Sequence, residues 1–373
     1  MTTLGVIRWD GSNTGPIGIN ENLALSQAAY HDRLPWYANE LSPTSVESYA
    51  DNQAVRDQEI DMAQKCGVDY WAFLIYPTEP NWLASGRGTE GGFTPGMNSG
   101  YNLYLTSPKR SAVKHCLLLE GYRAGWRYQP PSSDWPSFSD AIAPLLVRAD
   151  YQTVLGNRPL LYWLDLASFI TYAGGGNSGA ALTAMNLLRT KVQALGGGNP
   201  YIVGLDGNTS PAGLVGADAV SNYAVNPTQS SATGFPYSTL TAGCEAQWAD
   251  QRAATAFGVV PALSAGWDYR PRNGLAPWVS NGQSTPSWWF TTPTPAQLAA
   301  HVQAGFAFVA AYPGDCPADT TLMYAWNECT EGGQLQPSRW DYGARLQAIA
   351  SLRRRQGEPR SILRSRGIAQ VSR

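Results

Sequence analysis

The stretch Thr321-Leu322-Met323-Tyr324-Ala325-Trp326-Asn327-Glu328-Cys329-Thr330-Glu331-Gly332-Gly333 decides how the chain reads. Its first half is a continuous apolar run, as expected of a parallel strand buried on both faces, and the glycine pair breaks the pattern just beyond it. Glu328 and Glu331 therefore project from a rim where strand becomes loop. Working outward, strand-like runs recur at residues 4–10, 70–77, 114–120, 159–165, 201–206, 217–223, 259–268 and 321–328. Helical patterns fill the gaps. Thr44 and Glu47 have capping-box spacing and predict a helix running to about Lys65. Others are expected after Ser137, over 180–195 before three glycines, over 245–256, over 296–309 with Pro295 in its first turn, and from Ser338 through Leu346, Ile349 and Leu352. Strand then helix, eight times, is the pattern of a single (β/α)8 TIM barrel; a doubly wound sheet is the alternative, but eight units suit closure better. Residues 1–352 form this barrel, and residues 353–373 form a basic tail with seven Arg against one acid, expected to be a flexible end.

Three connections after strands are long or aromatic, which puts them on the face where barrel active sites are built. Residues 78–106 carry Trp82, Phe93, Tyr101 and Tyr104; residues 269–292 carry Trp278, Trp288, Trp289 and Phe290; a shorter one carries Tyr122, Trp126, Tyr128 and Trp135. Their rings either stack on sugars or pack the loops onto the barrel.

Composition narrows the partners. The 373 residues are 43% hydrophobic and only 14% charged, with a net charge of −2, which gives no hint of a nucleic-acid or membrane-surface partner. No run approaches the ~20 apolar residues of a membrane-spanning helix. No glycine-rich phosphate loop is present. The five cysteines (Cys66, Cys116, Cys244, Cys316, Cys329) lack metal or disulfide spacing and read as free core thiols. Three histidines make a His-based metal site improbable, and no cofactor is implied. The chain runs almost directly into its first strand without a signal peptide, which leaves cytoplasmic, trimmed secreted or virion-associated settings open.

A second pattern lies at the strand ends, where Asp10, Glu120, Asp165, Asp206, Asp268 and Glu328 recur. A ring of carboxylates accepts strong hydrogen bonds from sugar hydroxyls. It could alternatively hold a divalent cation, or its members could cap helices, most simply at Asp206 before Gly207. Two carboxylates as close as Glu328 and Glu331 repel, which raises one pKa and keeps a proton available near neutrality. That is the state a general acid needs to cleave a glycosidic bond, with the second carboxylate serving the opposite face of the ring.

The motif Asn327-Glu328-Cys329-Thr330-Glu331-Gly332, followed by Leu335-Gln336-Pro337 and Tyr342-Gly343, resembles that of the glycoside hydrolase family 99-like barrels, including the WbsX-like group. Gly266-Trp267-Asp268-Tyr269-Arg270-Pro271-Arg272 is similar to the family's Trp-Asp-x-x-Pro-Arg element, and Cys66-Gly67-Val68-Asp69-Tyr70-Trp71 to its early Gly-x-Asp element. The resemblance implies a (β/α)8 glycosidase in which Glu331 is the general acid and Glu328 the base. In mannose-acting members that base deprotonates the sugar's 2-hydroxyl, with net retention; a direct nucleophilic role for Glu328 is the simpler alternative. Cys329 stands where the family has an aromatic residue and Gln336 where Glu is common, changes that touch subsites rather than the acid–base pair.

The expectation is therefore a retaining, endo-acting glycoside hydrolase on a poly- or oligosaccharide. Asp10, Glu120, Asp165, Asp268 and Asn327 would bind sugar, with Trp126, Trp267 and Trp326 as stacking platforms. A carbohydrate-binding barrel without catalysis and a glycosyl-transferring enzyme of surface polysaccharide metabolism are the alternatives.

Overall fold

The computed structural model describes residues 1–76, 96–120, 133–207, 209–229, 233–254, 257–275 and 288–355. Within them the expected strands are all present: β1 (Thr3–Trp9), β2 (Tyr70–Ile75), β3 (Lys114–Glu120), β4 (Arg158–Leu164), β5 (Tyr201–Gly204), β6 (Ala219–Val220), β7 in two pieces (Gly258–Val259 and Ala262–Ser264), and β8 (Thr320–Tyr324). Each is parallel to the next in chain order, and β8 returns to β1 with Leu4 opposite Thr321 and Val6 opposite Met323.

The break in β7 follows from Pro261, which has no N–H to give to a ladder. The first piece pairs with β6, the second with β8. Between them the Val260 amide still donates to Val220 at 3.0 Å, and the Pro261 carbonyl accepts from Leu322 at 3.0 Å. One passage of chain thus bridges β6 and β8 and completes the eight-stranded ring. Inside it, hydroxyls from non-adjacent strands meet: Tyr70 lies 2.7 Å from Tyr162 and 2.8 Å from Thr320. Gly5 makes room for the Tyr70 ring, because a Cβ there would lie 2.1 Å from its Cζ.

Helices Tyr237–Ala254 and Pro295–Ala311 pack on the strands from outside, whereas Pro16–Leu25 lies against the loop after β7 and the turn after β8. Three helices depart from expectation, the one expected over 245–256 spanning Tyr237–Ala254. Residues Ser45–Glu47 form a strand paired with Asn39–Ser42, so the helix anticipated from Thr44 starts only at Gln53. Its cap is Asn52, which accepts from the amides of Ala54 and Val55, and the helix ends at left-handed Gly67. The capping-box spacing at Thr44 lost to hairpin pairing because strand 45–47 buries Val46 in a small apolar cluster with Leu25, Leu34 and Cys329. The last helix begins at Ala344, not Ser338, because Asp341 accepts from the amides of Ser338 and Gly343 and holds 338–343 as a turn. This helix runs to Arg355 and carries buried Arg353, which pairs with Asp69; residues 356–373 of the expected tail lie outside the described residues. All five cysteines are free and buried. No helix among the described residues is long and apolar enough to cross a membrane.

Of the loop aromatics, Tyr101, Tyr104, Trp135 and Phe290 are buried and pack inward. Trp82, Phe93, Tyr122, Trp126, Tyr128 and Trp278 lie outside the described residues.

Candidate active site

Beyond β8 the chain continues alongside β1, the Trp326 amide donating to the Ile7 carbonyl at 2.7 Å. Asn327 is fixed against β1: its Oδ1 accepts from the Trp9 amide at 3.1 Å and its Nδ2 donates to the Trp9 carbonyl. A single 3-10 turn, Cys329–Glu331, then closes on left-handed Gly332. The Glu331 carbonyl accepts from the Asp268 amide at 2.6 Å, which ties this turn to the loop after β7. Close approach requires Gly266, whose φ is +148° and whose added Cβ would lie 2.4 Å from the Gly332 oxygen.

That loop delivers Arg272, the cation on which the site is organised. Its Nη1 donates to Glu331. Its Nη2 donates to Glu21 at 2.9 Å and to Glu328 at 3.3 Å, and its Nε to the Thr330 hydroxyl at 2.7 Å. Trp9 and Tyr269 flank the guanidinium, with ring centroids 5.2 and 5.3 Å away. Two phenols complete the carboxylates: Tyr223 donates to Glu328 at 3.2 Å, and Tyr324 donates to Glu331. The Glu328 side chain is 4% exposed and that of Glu331 13%, so Glu331 is the nearer to solvent.

Charge states follow from this packing. Burial, then the charge of Glu331, pushes Glu328 well above the usual carboxylate range. Burial also raises Glu21, against the pull of Arg272. For Arg272 burial works against the charge, but Glu331, Glu21 and Glu328 outweigh it and hold the guanidinium ionised. Tyr223 and Tyr324 are raised by burial and by the adjacent carboxylates, so both remain hydrogen-bond donors.

The other sequence candidates separate into three groups. Glu120 is buried at the end of β3, and Trp267 lies almost flat on Tyr269 with ring centroids 5.9 Å apart beside the carboxylate pair. Asp268 is ion-paired with Arg33 and Arg270, which hold its carboxyl below the usual range although burial opposes them. Asp10, Trp326 and Asn327 belong to the framework. Asp10 accepts from the Tyr101 amide at 2.9 Å and faces Arg8 and Arg56, and burial raises it to about 7. Trp326 is fully buried against Trp71 and donates to Glu59 at 3.0 Å, leaving no face to a sugar. Asp10 and Trp326 are drawn toward the helix Gln53–Cys66 by Arg56 and Glu59, while Asn327 is spent on the backbone of Trp9. Asp165 caps its own following helix, Leu166–Tyr172, through the Ser168 amide, and Asp206 accepts from the amides of Asp165 and Leu166 at 2.6 and 2.8 Å. Of the six strand-end acids, Asp165 and Asp206 thus accept from helix-start amides and Asp10 and Asp268 are ion-paired, while Glu120 and Glu328 are buried at their strand ends. Trp126 lies outside the described residues. Among those residues no group of three or more His, Cys, Asp or Glu is placed to hold a metal ion.

Sequence reasoning missed Glu21, Tyr223 and Tyr324, and gave Arg272 no role beyond its motif. Tyr223 stood at a strand end and could have been found on that ground. Glu21, in Pro16–Leu25, reads as an ordinary surface-helix residue.

No protein-family model and no curated protein matches the chain. Solved structures do. A GH99 endo-α-mannosidase from Bacteroides thetaiotaomicron, in complex with bis-tris-propane, superposes with a TM-score of 0.56 at 13% identity, over 96% of this chain and 99% of that one. A second structure of a GH99 endo-α-mannosidase from this organism gives 0.52 at 14% identity, over 95% and 98%. The chain therefore has the GH99-like fold, a (β/α)8 barrel with its helices outside.

Proposed function

We propose that this protein is a glycoside hydrolase, cleaving a poly- or oligosaccharide with Glu328 and Glu331. The observation that carries the reading is that two carboxylates from one turn meet on a single buried guanidinium at the C-terminal mouth of a (β/α)8 barrel, where such barrels place their chemistry. One group must hold a proton for the departing oxygen while the other is ionised on the opposite face of the sugar. Burial and ion pairing of different strength push two neighbouring carboxylates apart in that way. Sharing one guanidinium keeps the carboxyls close, which favours retention, since a wider gap would be needed to admit an inverting water. The shared fold with endo-acting mannosidases favours internal cleavage by analogy.

Two assignments of the acid compete. The sequence resemblance makes it Glu331, the more exposed of the two. The resting structure favours a proton on Glu328, because Glu331 receives close donors from both Arg272 and Tyr324 while the donors to Glu328 are longer.

The test is release of new reducing ends from a panel of bacterial, fungal and plant polysaccharides by wild type, Glu328→Gln and Glu331→Gln. Release by wild type that collapses in both variants supports the pair. Binding without release by wild type would replace the reading by a binding barrel, and turnover only with an activated donor by a transferase. On a substrate with a good leaving group, the variant that retains turnover identifies the acid, since that departure needs no proton.

A further inference from the structure

Glu21 has no place in the two-carboxylate mechanism, yet it is 2% exposed and reaches the same guanidinium nitrogen as Glu328. Both its oxygens lie 2.9 Å from the Thr330 hydroxyl, which in turn accepts from Arg272 Nε. The helix Pro16–Leu25 therefore grips the loop after β7 and the turn after β8 at once. A buried carboxylate is costly unless it is paired, so a glutamate with only a structural task there could have been a neutral glutamine.

Charge counting supplies the task. If Glu21, Glu328 and Glu331 were all ionised, one Arg272 would leave the cluster at a charge of about −2 in a water-poor site. Among the described residues, the groups facing it are Tyr223 beyond β6, Tyr269 in the loop after β7, and Tyr324 and Cys329 at β8 and its turn, none of them cationic. The neighbouring cations Arg33 and Arg270 are engaged by Asp268. A proton must stay in the cluster to relieve the repulsion.

We propose that Glu21 is a positioning residue of the site: it holds Arg272 and Thr330 in place and, through its charge beside Arg272, keeps a proton on the Glu328–Glu331 pair. The proposal rests on the reading of that pair as catalytic, but its physical content is a proton inventory that can be measured without substrate.

The experiment is a pH titration of the glutamate side-chain carboxyl carbons by 13C NMR on the full chain, with the Glu328 resonance identified by its loss in Glu328→Gln. In Glu21→Gln, which retains an oxygen for Thr330, the Glu328 midpoint is expected to fall by about one to two pH units. Glu21→Asp, which keeps the charge, should hold it nearer the wild-type value, and it serves as the comparison should Glu21→Gln not fold. If a hydrolysed glycan is in hand, the alkaline limb of the kcat/KM profile should move down with the midpoint in Glu21→Gln. An unchanged Glu328 midpoint in Glu21→Gln, or a midpoint in Glu21→Asp displaced as far as a neutral residue would displace it, overturns the proposal. A wild type that titrates as expected but hydrolyses nothing would overturn the hydrolase reading alone.

Discussion

Replacing Arg272 by methionine keeps much of the side-chain volume and removes the guanidinium that, among the described residues, touches Glu21, Glu328 and Glu331 together. Truncating one partner of a buried ion pair typically costs about 3–5 kcal/mol, because the other charge is left without compensation. Here the cost has a pH signature. The folded variant must take up about one proton more than folded wild type, while the unfolded chains titrate alike. Neutralising a carboxylate of ordinary pKa near 4.5 takes about 1.4 kcal/mol for each pH unit above it. The loss should therefore be about 1 kcal/mol near pH 5 and about 4–5 kcal/mol near pH 8. Urea unfolding followed by tryptophan fluorescence at both pH values measures it. A loss that is equal at the two, or below about 1 kcal/mol near pH 8, would refute the view that Arg272 is the counter-charge of the cluster. The double variant Arg272→Met with Glu331→Gln should flatten the pH dependence.

Further outcomes follow from other contacts. Asp10, raised from an ordinary 3.8 to about 7, favours folding below the lower value and loses that contribution as pH rises through the upper one. Asp10→Asn should therefore gain on wild type by about 4 kcal/mol between about pH 4 and pH 8, read from unfolding curves at each; a constant difference would contradict its burial as the cause. Glu328→Gln should likewise become more stable than wild type as pH rises above about 4.5, while losing glycan cleavage by about 100-fold or more. Asn52→Ala removes the acceptor for two helix amides and should cost about 1 kcal/mol in chemical denaturation, with activity intact. Gly266→Ala should cost about 2 kcal/mol or more and lower activity, because the turn carrying Glu331 must retreat from the added methyl; wild-type stability would contradict the close approach.

The amino-acid sequence by itself determined the strands, their order and the class of fold. Apolar runs buried on both faces, and the glycines and prolines between them, act within a few residues, so their effects can be read in order along the chain. The three-residue spacing of Glu328 and Glu331 is local in the same sense. Where the local reading failed, a partner distant in sequence had intervened: the capping-box spacing at Thr44 yielded to a hairpin, and Asp341 delayed the last helix. Tertiary structure alone decided the content of the site. Arg272 lies 251 residues from Glu21 and 59 from Glu331, and Tyr223 lies 105 from Glu328. No periodicity relates such positions. Equally, Asp10 and Trp326 stand at strand ends as Glu328 does, but their side chains are taken up by the Arg8–Glu59–Arg56 network behind the barrel. Sequence places a residue at the rim; alternation alone would set Trp326 on the face of Tyr324, two residues before it, so it is the partners distant in sequence that decide whether a side chain enters the barrel or leaves it.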